Sequence, residues 1–222
     1  MNARSNTFEL NCQENQACEA VSALIHSIIF YRCYGKFQYK HEGSYSIGTL
    51  GFEEVSCDFI DFSYIRCASP KLIADVNREI NEFVEKMRQS TPEMNGSISL
   101  EFYHRRRGRW PFVDNTLVWE IWNIKVNCDN NKDERKERIE DVLLEKLITI
   151  IQIINNSKCY LPQMPNKQHA DTIFDTNYPD AQPYLFKISY SIANVQMTSA
   201  IAIPEIGPSF AFRKIIKETL SM

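Results

Sequence analysis

The sequence predicts an α+β fold in which helices are grouped on one antiparallel sheet. Three segments place apolar residues at helical spacing, and the segments between them alternate apolar and polar residues as half-buried strands do. The chain does not repeat strand, helix and strand in regular succession, so the winding of a parallel sheet is not expected. With 222 residues, 44% of them hydrophobic, the chain can bury one substantial core, and we expect a single domain over residues 1–222.

The first helix is expected from about Gln13 to Tyr34, after a stretch of strand or coil, with Asn11 and Glu14 as a capping pair. Gly35 ends the helical pattern, and a small hairpin is predicted around Tyr45–Ile47. The apolar stripe of the helix comprises Ala17, Val21, Leu24, Ile25, Ile28 and Ile29.

A strand is predicted over Cys57–Cys67, although both of its faces mix apolar and polar residues. The second helix should begin at Pro70, with Ser69 as its cap, and end at Ser90-Thr91-Pro92. Its apolar stripe comprises Leu72, Ile73, Val76, Ile80, Phe83, Val84 and Met87.

Two strands follow that are expected to pair through a turn. Ser97–His104 alternates cleanly, and Leu117–Cys128 is its expected antiparallel partner. The alternation places Ile98, Leu100 and Phe102 against the core and Ser99, Glu101 and Tyr103 outward.

The third helix is expected from about Asn130 to Asn155. Ser157–Gln182 is a connection longer than compact domains usually contain, which indicates a special path or some mobility. A last strand opens at Pro183 and alternates to Ile192, and Phe212–Leu220 fits a short closing helix. The third helix carries a wide apolar face comprising Ile139, Val142, Leu143, Leu147, Ile150, Ile151 and Ile154, with Leu144 and Ile153 lying off this stripe.

Composition excludes several classes of protein. Charged residues make up 24% of the chain and the net charge is −3, which fits neither a strongly basic nucleic-acid binder nor an acidic tail. No stretch reaches the roughly 18 apolar residues that span a bilayer, and the first ten residues lack the pattern of a secretory signal. We therefore expect a cytoplasmic protein without an integral membrane segment.

The sequence contains no recognisable catalytic motif, metal-ligand spacing or phosphate-binding loop, so we expect neither enzymatic activity, cofactor nor metal. A cysteine nucleophile paired with a histidine is the alternative, but no local signature supports it. The seven cysteines are odd in number and widely spaced, so they are expected to be reduced thiols: Cys12, Cys18, Cys33, Cys57, Cys67, Cys128 and Cys159.

The turn after His104 contains Trp110-Pro111-Phe112, which is unusual because turns normally carry small or polar residues. Pro111 restricts the backbone on both sides, so the two rings could be presented on a stiff tip at low entropic cost. Two interpretations stay open from the residues alone: the rings fold back onto the core, or they bind a partner. Arg105, Arg106, Arg107 and Arg109 lie beside them, where they could steer an anionic partner, although four charges are few for binding nucleic acid or anionic lipid.

Several segments closely resemble the autophagy-related protein 101 family of animals, in the family's order over nearly the whole chain. They are Gly35–Tyr39, Glu42–Thr49, Cys57–Phe62, Ser99–Tyr103, Arg109–Phe112, Tyr160–Pro162, Phe174–Thr176 and Gln182–Leu185.

The resemblance implies a HORMA domain: an antiparallel sheet backed by three helices, with a core of about residues 1–156 and a C-terminal belt-like segment of about 157–222. It implies a non-catalytic adaptor of the autophagy-initiating kinase complex, which contains an Unc-51-like kinase and a coiled-coil scaffold. The adaptor would pair with the HORMA domain of autophagy-related protein 13, by a surface near the third helix, and act at the autophagosome assembly site.

The resemblance also implies that Trp110 and Phe112, with Pro111 between them, form an exposed finger that recruits downstream autophagy factors. One departure lies at Ala200–Pro208, which looks longer than the family's usual sequence. The alternative function is a peptide-clasping HORMA adaptor of a chromosome or repair pathway, in which Ser157–Met222 would close around an extended ligand.

Overall fold

The computed structural model of the protein describes residues 3–41, 44–90, 94–106, 115–128, 138–156 and 159–192. Three α-helices, one 3₁₀ helix and eight strands lie in these ranges, which confirms a mixed α+β fold. In chain order they are β1 (Arg4–Cys12), α1 (Ala17–Tyr31), β2 (Phe37–His41), β3 (Ser44–Ile47), β4 (Phe52–Ser56), β5 (Ser63–Cys67), α2 (Pro70–Ser90), β6 (Met94–Arg106), β7 (Asn115–Cys128), α3 (Ile139–Ile154), the 3₁₀ helix (Lys167–Thr172) and β8 (Phe186–Ile192).

The main sheet has four strands in the order β1-β7-β6-β8. β6 pairs antiparallel with β7 and β8, as expected, but β1 runs parallel to β7, so the prediction of a purely antiparallel sheet was wrong. β1 buries Phe8, Leu10 and Cys12 on the same side as the other strands, because a parallel edge strand still alternates its side chains.

The helices cover one face of this sheet. α1 packs against β1, β7, α2 and α3, whereas α2 lies over β6 and β8, and α3 lies over β1. The core between these layers contains fully buried residues from both, among them Leu24, Phe83 and Trp122. α3 thus lies at the β1 edge of the domain, with its outer side away from the core.

The first helix begins later than predicted. It starts at Ala17, and Asn11 belongs to β1, so the predicted capping pair of Asn11 and Glu14 does not form the helix start. A turn over residues 14–16 joins strand and helix, and the backbone N–H of Ala20 donates to the carbonyl of Gln16. Asn11 belongs to the strand because β1 pairs with β7 along its whole length, from Arg4 to Cys12.

The prediction of one strand over Cys57–Cys67 was also wrong, since β4 and β5 form a hairpin that turns at residues 57–62. The Glu19 carboxylate on α1 accepts hydrogen bonds from the backbone N–H groups of Asp58 and Phe59, at 2.8 and 3.0 Å. This contact stabilises the turn. It joins segments that are distant in sequence, so a local sequence pattern does not predict it. On β5, Tyr64 is buried and stacks on His26 of α1.

The remaining elements lie close to their predicted positions. α2 begins at Pro70 and ends at Ser90, and the β2–β3 hairpin contains Tyr45–Ile47. The Ser69 hydroxyl donates to Asp180 at 2.8 Å, while its backbone carbonyl accepts the hydrogen bond from the Ile73 N–H.

The long connection after α3 packs on the domain. It contains the 3₁₀ helix, and it buries Phe174 and Tyr178 in the core. β8 begins at Phe186 instead of Pro183, because Pro183 and Tyr184 make isolated bridges to Cys33 and Phe174. The predicted start of the third helix near Asn130, the closing helix at Phe212–Leu220 and the Ala200–Pro208 stretch lie outside the described residues.

Candidate functional site

The β6–β7 ribbon extends beyond the four-stranded part of the sheet. β8 pairs with β6 no further than Phe102, and β1 pairs with β7 only from Glu120 onward, but β6 and β7 stay paired as far as Arg106 and Asn115. Four residues at a rise of about 3.4 Å each extend this two-stranded arm roughly 14 Å past the sheet. Its last described residues, Arg106, Asn115 and Thr116, are exposed.

A bulge marks the base of this arm. The register shifts between Phe102 and Tyr103, so Trp119 is the extra residue of β7 at this point. Tyr103, predicted to point outward, is buried at 4% exposure, and its backbone N–H donates to the carbonyl of Leu185, so a segment distant in sequence lies beside it. On β7 the bulge allows the neighbouring residues Trp119 and Glu120 to be buried together.

A buried ion pair ties α1 to this bulge. Arg32 donates from Nε to Glu120 Oε1 at 3.1 Å and from Nη2 to Oε2 at 2.6 Å, and the two side chains are only 2% and 1% exposed. Trp122 Nε1 also donates to Glu120, the Arg32 guanidinium lies 5.7 Å from the centre of the Trp119 ring, and Cys159 Sγ lies 3.4 Å from Arg32 Nη2. Sequence analysis did not predict this pair. The sequence feature that could have indicated it is that Arg32 and Glu120 are each a single charged residue within an otherwise apolar stretch.

The predicted finger, Trp110, Pro111 and Phe112, lies outside the described residues, together with Arg107 and Arg109. Of the four predicted steering arginines, the structure describes Arg105 and Arg106, both at the end of β6 on the projecting arm. The two described arginines thus occupy the part of the arm that is furthest from the sheet.

A second surface lies on the outer side of α3. Leu144, Ile148 and Ile151, at i, i+4 and i+7, are 53%, 47% and 36% exposed, and we call them the α3 stripe. Ile151 had been predicted on the core-facing side of the helix, but Ile139, Leu143 and Ile150 take that side. Helical periodicity identified the helix, whereas the choice of buried side depends on the neighbours of α3.

All seven cysteines are free thiols, as expected. His26 is buried, hydrogen-bonds Asn77 through Nε2 at 2.8 Å, and has its pKa lowered by burial to about 4. Within the described ranges, no three histidine, cysteine or acidic side chains come together to hold a metal ion.

None of the described helices combines the length and apolar character needed to cross a bilayer.

Comparison with known proteins places the chain among relatives over most of its length. A profile of the family described as "Autophagy-related protein 101" matches residues 9–168. The chain is 41% identical to the Autophagy-related protein 101 of Xenopus tropicalis and 38% identical to that of Homo sapiens, each over 227 aligned residues covering 100% of both chains. It is 20% identical over 179 residues to that of Arabidopsis thaliana, covering 69% of this chain and 77% of the relative.

The profile thus covers more than half of the chain, and the vertebrate relatives align with all of it. The chain therefore belongs to the autophagy-related protein 101 family.

Proposed function

We propose that this protein is a non-catalytic adaptor in autophagy, built as a HORMA domain that pairs with the HORMA domain of autophagy-related protein 13 through the α3 stripe. Membership of the family supports the role in autophagy. The evidence for this pairing surface is the row of three half-exposed aliphatic side chains on one side of α3. A long apolar row on a surface helix is the feature that helix-mediated protein contacts use.

The size of the effect follows from the exposure of these side chains. Full burial of a leucine or isoleucine contributes about 1.5–3 kcal/mol, so the exposed halves of the three residues hold roughly 2–4 kcal/mol together. At about 1.4 kcal/mol per tenfold change in affinity, loss of the α3 stripe should weaken pairing by at least tenfold. Because α3 lies at the β1 edge of the domain, a partner could approach it without disturbing the core.

The test is co-purification of the full chain with the HORMA domain of autophagy-related protein 13. Leu144→Asp combined with Ile148→Asp should abolish pairing while the isolated chain stays folded, because only the buried halves of the two side chains, worth roughly 1.5–3 kcal/mol together, are lost from its own stability. Ile47→Asp is the matched control, since Ile47 is 59% exposed but lies on the β2–β3 hairpin. Undiminished pairing in the double variant would refute the α3 stripe as the pairing surface.

We further propose that Trp110 and Phe112, with Pro111 between them, recruit downstream autophagy factors. The projecting β6–β7 arm supports this proposal, because the segment that carries these residues follows directly on its exposed end. Arg105, Arg106, Arg107 and Arg109 would steer an anionic partner toward the same place. Trp110→Ala with Phe112→Ala should abolish recruitment while pairing and thermal stability persist. A large loss of thermal stability would show instead that the rings belong to the core.

In this proposal the adaptor joins the autophagy-initiating kinase complex, with its Unc-51-like kinase and coiled-coil scaffold, and works in the cytoplasm at the autophagosome assembly site. Residues 157–222 correspond to the belt-like segment of the HORMA domain. Pairing would stabilise the partner domain by mass action, since the adaptor binds only the folded partner. Thermal unfolding of the partner domain, with and without excess adaptor, measures this stabilisation directly.

A further inference from the structure

A cleft of about 440 Å³ lies between the β2–β3 hairpin and the segment that leads into the 3₁₀ helix. Its volume falls within the roughly 300–1,000 Å³ typical of ligand sites in proteins. Among the described residues that line it are two tyrosines, three basic side chains and one methionine: Tyr39, Tyr45, Lys40, His41, Lys167 and Met164. The cleft does not belong to the arm or to the α3 stripe.

The aromatic wall of the cleft is held in place by hydrogen bonds. The Tyr39 hydroxyl donates to the backbone carbonyl of Pro165 at 2.9 Å, which joins the hairpin to the opposite wall. Burial raises the pKa of Tyr39 above its ordinary value, so this hydroxyl remains a donor at neutral pH. Tyr45 faces Tyr39 across the two strands, contacts the Tyr34 hydroxyl at 3.1 Å, and keeps 37% of its surface exposed. A rigid, partly exposed ring of this kind can stack on an apolar side chain.

The basic residues come from opposite walls. Lys40 and His41 end β2, whereas Lys167 opens the 3₁₀ helix, and all three are exposed. Neither lysine forms an ion pair with any residue that the structure describes, although many other described cations are paired. Of the described residues that line the cleft, none is acidic. Two unpaired cations facing one cleft favour an anionic ligand, on a chain whose net charge is −3.

We propose that this cleft binds a short acidic peptide segment of a partner protein, with an apolar or aromatic side chain against Tyr39 and Tyr45 and its carboxylates near Lys40 and Lys167. Nucleic acid is a poorer fit, because so few cations on an acidic chain bind phosphates weakly at physiological salt. A membrane is a poorer fit too, since two lysines attract an anionic surface only weakly. The cleft instead combines charge with an apolar wall, as sites for peptide side chains do.

The test uses fluorescence anisotropy of the full chain with a labelled peptide in which glutamates flank one phenylalanine. A second peptide has lysines in place of the glutamates, and a third has alanine in place of the phenylalanine. We expect the first peptide to bind, the third to bind more weakly, the second not to bind, and the affinity to fall as salt is raised. Lys40→Glu with Lys167→Glu should weaken binding by about tenfold or more, as expected when an attractive charge pair becomes repulsive.

Lys86→Glu with Lys125→Glu is the matched control, because it changes the net charge equally at two lysines that lie outside both the cleft and α3. Tyr45→Ala should reduce the preference for the phenylalanine peptide over the alanine peptide. Equal weakening in the control and cleft variants, equal binding of all three peptides, or displacement of the peptide by phosphatidylserine vesicles would each overturn the proposal. Both charge variants are expected to pair normally with the HORMA partner, so failure here is distinguishable from failure of the proposed function.

Discussion

Removing the negative charge of Glu120 should destabilise the protein strongly. In Glu120→Gln the buried guanidinium of Arg32 keeps its place but loses its counter-charge, while the amide oxygen can still accept from Trp122. Breaking a fully buried pair costs about 3–5 kcal/mol, against about 0–1 kcal/mol for an exposed pair. The 2% and 1% exposures of these side chains place this pair in the first group. In a domain of this size the loss corresponds to a fall in the thermal midpoint of roughly 6–20 °C.

The assay is equilibrium unfolding in urea, followed by the fluorescence of Trp119 and Trp122, which lie beside the pair. Arg32→Met should cost less at acidic pH than Glu120→Gln, because a lone buried carboxyl group can take up a proton whereas a guanidinium cannot lose one. The double variant should cost no more than either single change, which makes the two changes strongly non-additive.

Two results would refute this reasoning. A cost below about 1 kcal/mol for Glu120→Gln would mean that water reaches the pair and that it behaves as a surface pair. Additive costs in the double variant would mean that Arg32 and Glu120 act through separate contacts. Either result would also weaken the inference that this pair fixes the base of the β6–β7 arm.

Two further predictions concern the core. His26 has a pKa of about 4 in the folded protein against 6.5 ordinarily, so the unfolded state binds more protons between these values. The unfolding free energy should therefore be highest above pH 6.5 and fall by up to roughly 3 kcal/mol toward pH 4, and His26→Gln should flatten this part of the pH profile. Gly96→Ala places a methyl group 2.7 Å from Met87 Sδ and 2.8 Å from Phe83 Cε2, and should cost about 1–3 kcal/mol by urea unfolding. An unchanged midpoint would show that the methionine side chain moves aside freely.

Local patterns predicted much of the fold. The apolar stripe of α2 and its flanking residues predicted a helix from Pro70 to Ser90, and the structure confirms these bounds. The prediction succeeded because capping and periodicity depend on neighbouring residues. The alternation of β6 likewise predicted burial of Ile98, Leu100 and Phe102. The prediction failed at Tyr103, which is buried beside Leu185, a residue distant in sequence whose carbonyl accepts from the Tyr103 N–H.

The candidate sites were less predictable. The sequence indicated that the α3 helix and the turn after β6 are unusual. The resemblance to a family implied a pairing role for the helix and a recruiting role for the turn. The sequence did not reveal which side of α3 stays exposed. A wide apolar face indicates that the helix is covered, but not whether its own domain or a partner covers each part. The cleft beside β2 was not foreseen either, since Lys40 and Lys167 are far apart in sequence and meet only after the chain folds.

By itself, then, the sequence determined the class of fold, the approximate positions of its helices and strands, and the family. Tertiary structure alone decided the parallel placement of β1, the pairing of Arg32 with Glu120, and the side of α3 that stays in contact with water. The physical reason is the range of the interactions. Helix periodicity and turn chemistry act over a few residues, whereas strand order, ion pairing and solvent exposure depend on residues that only folding brings together.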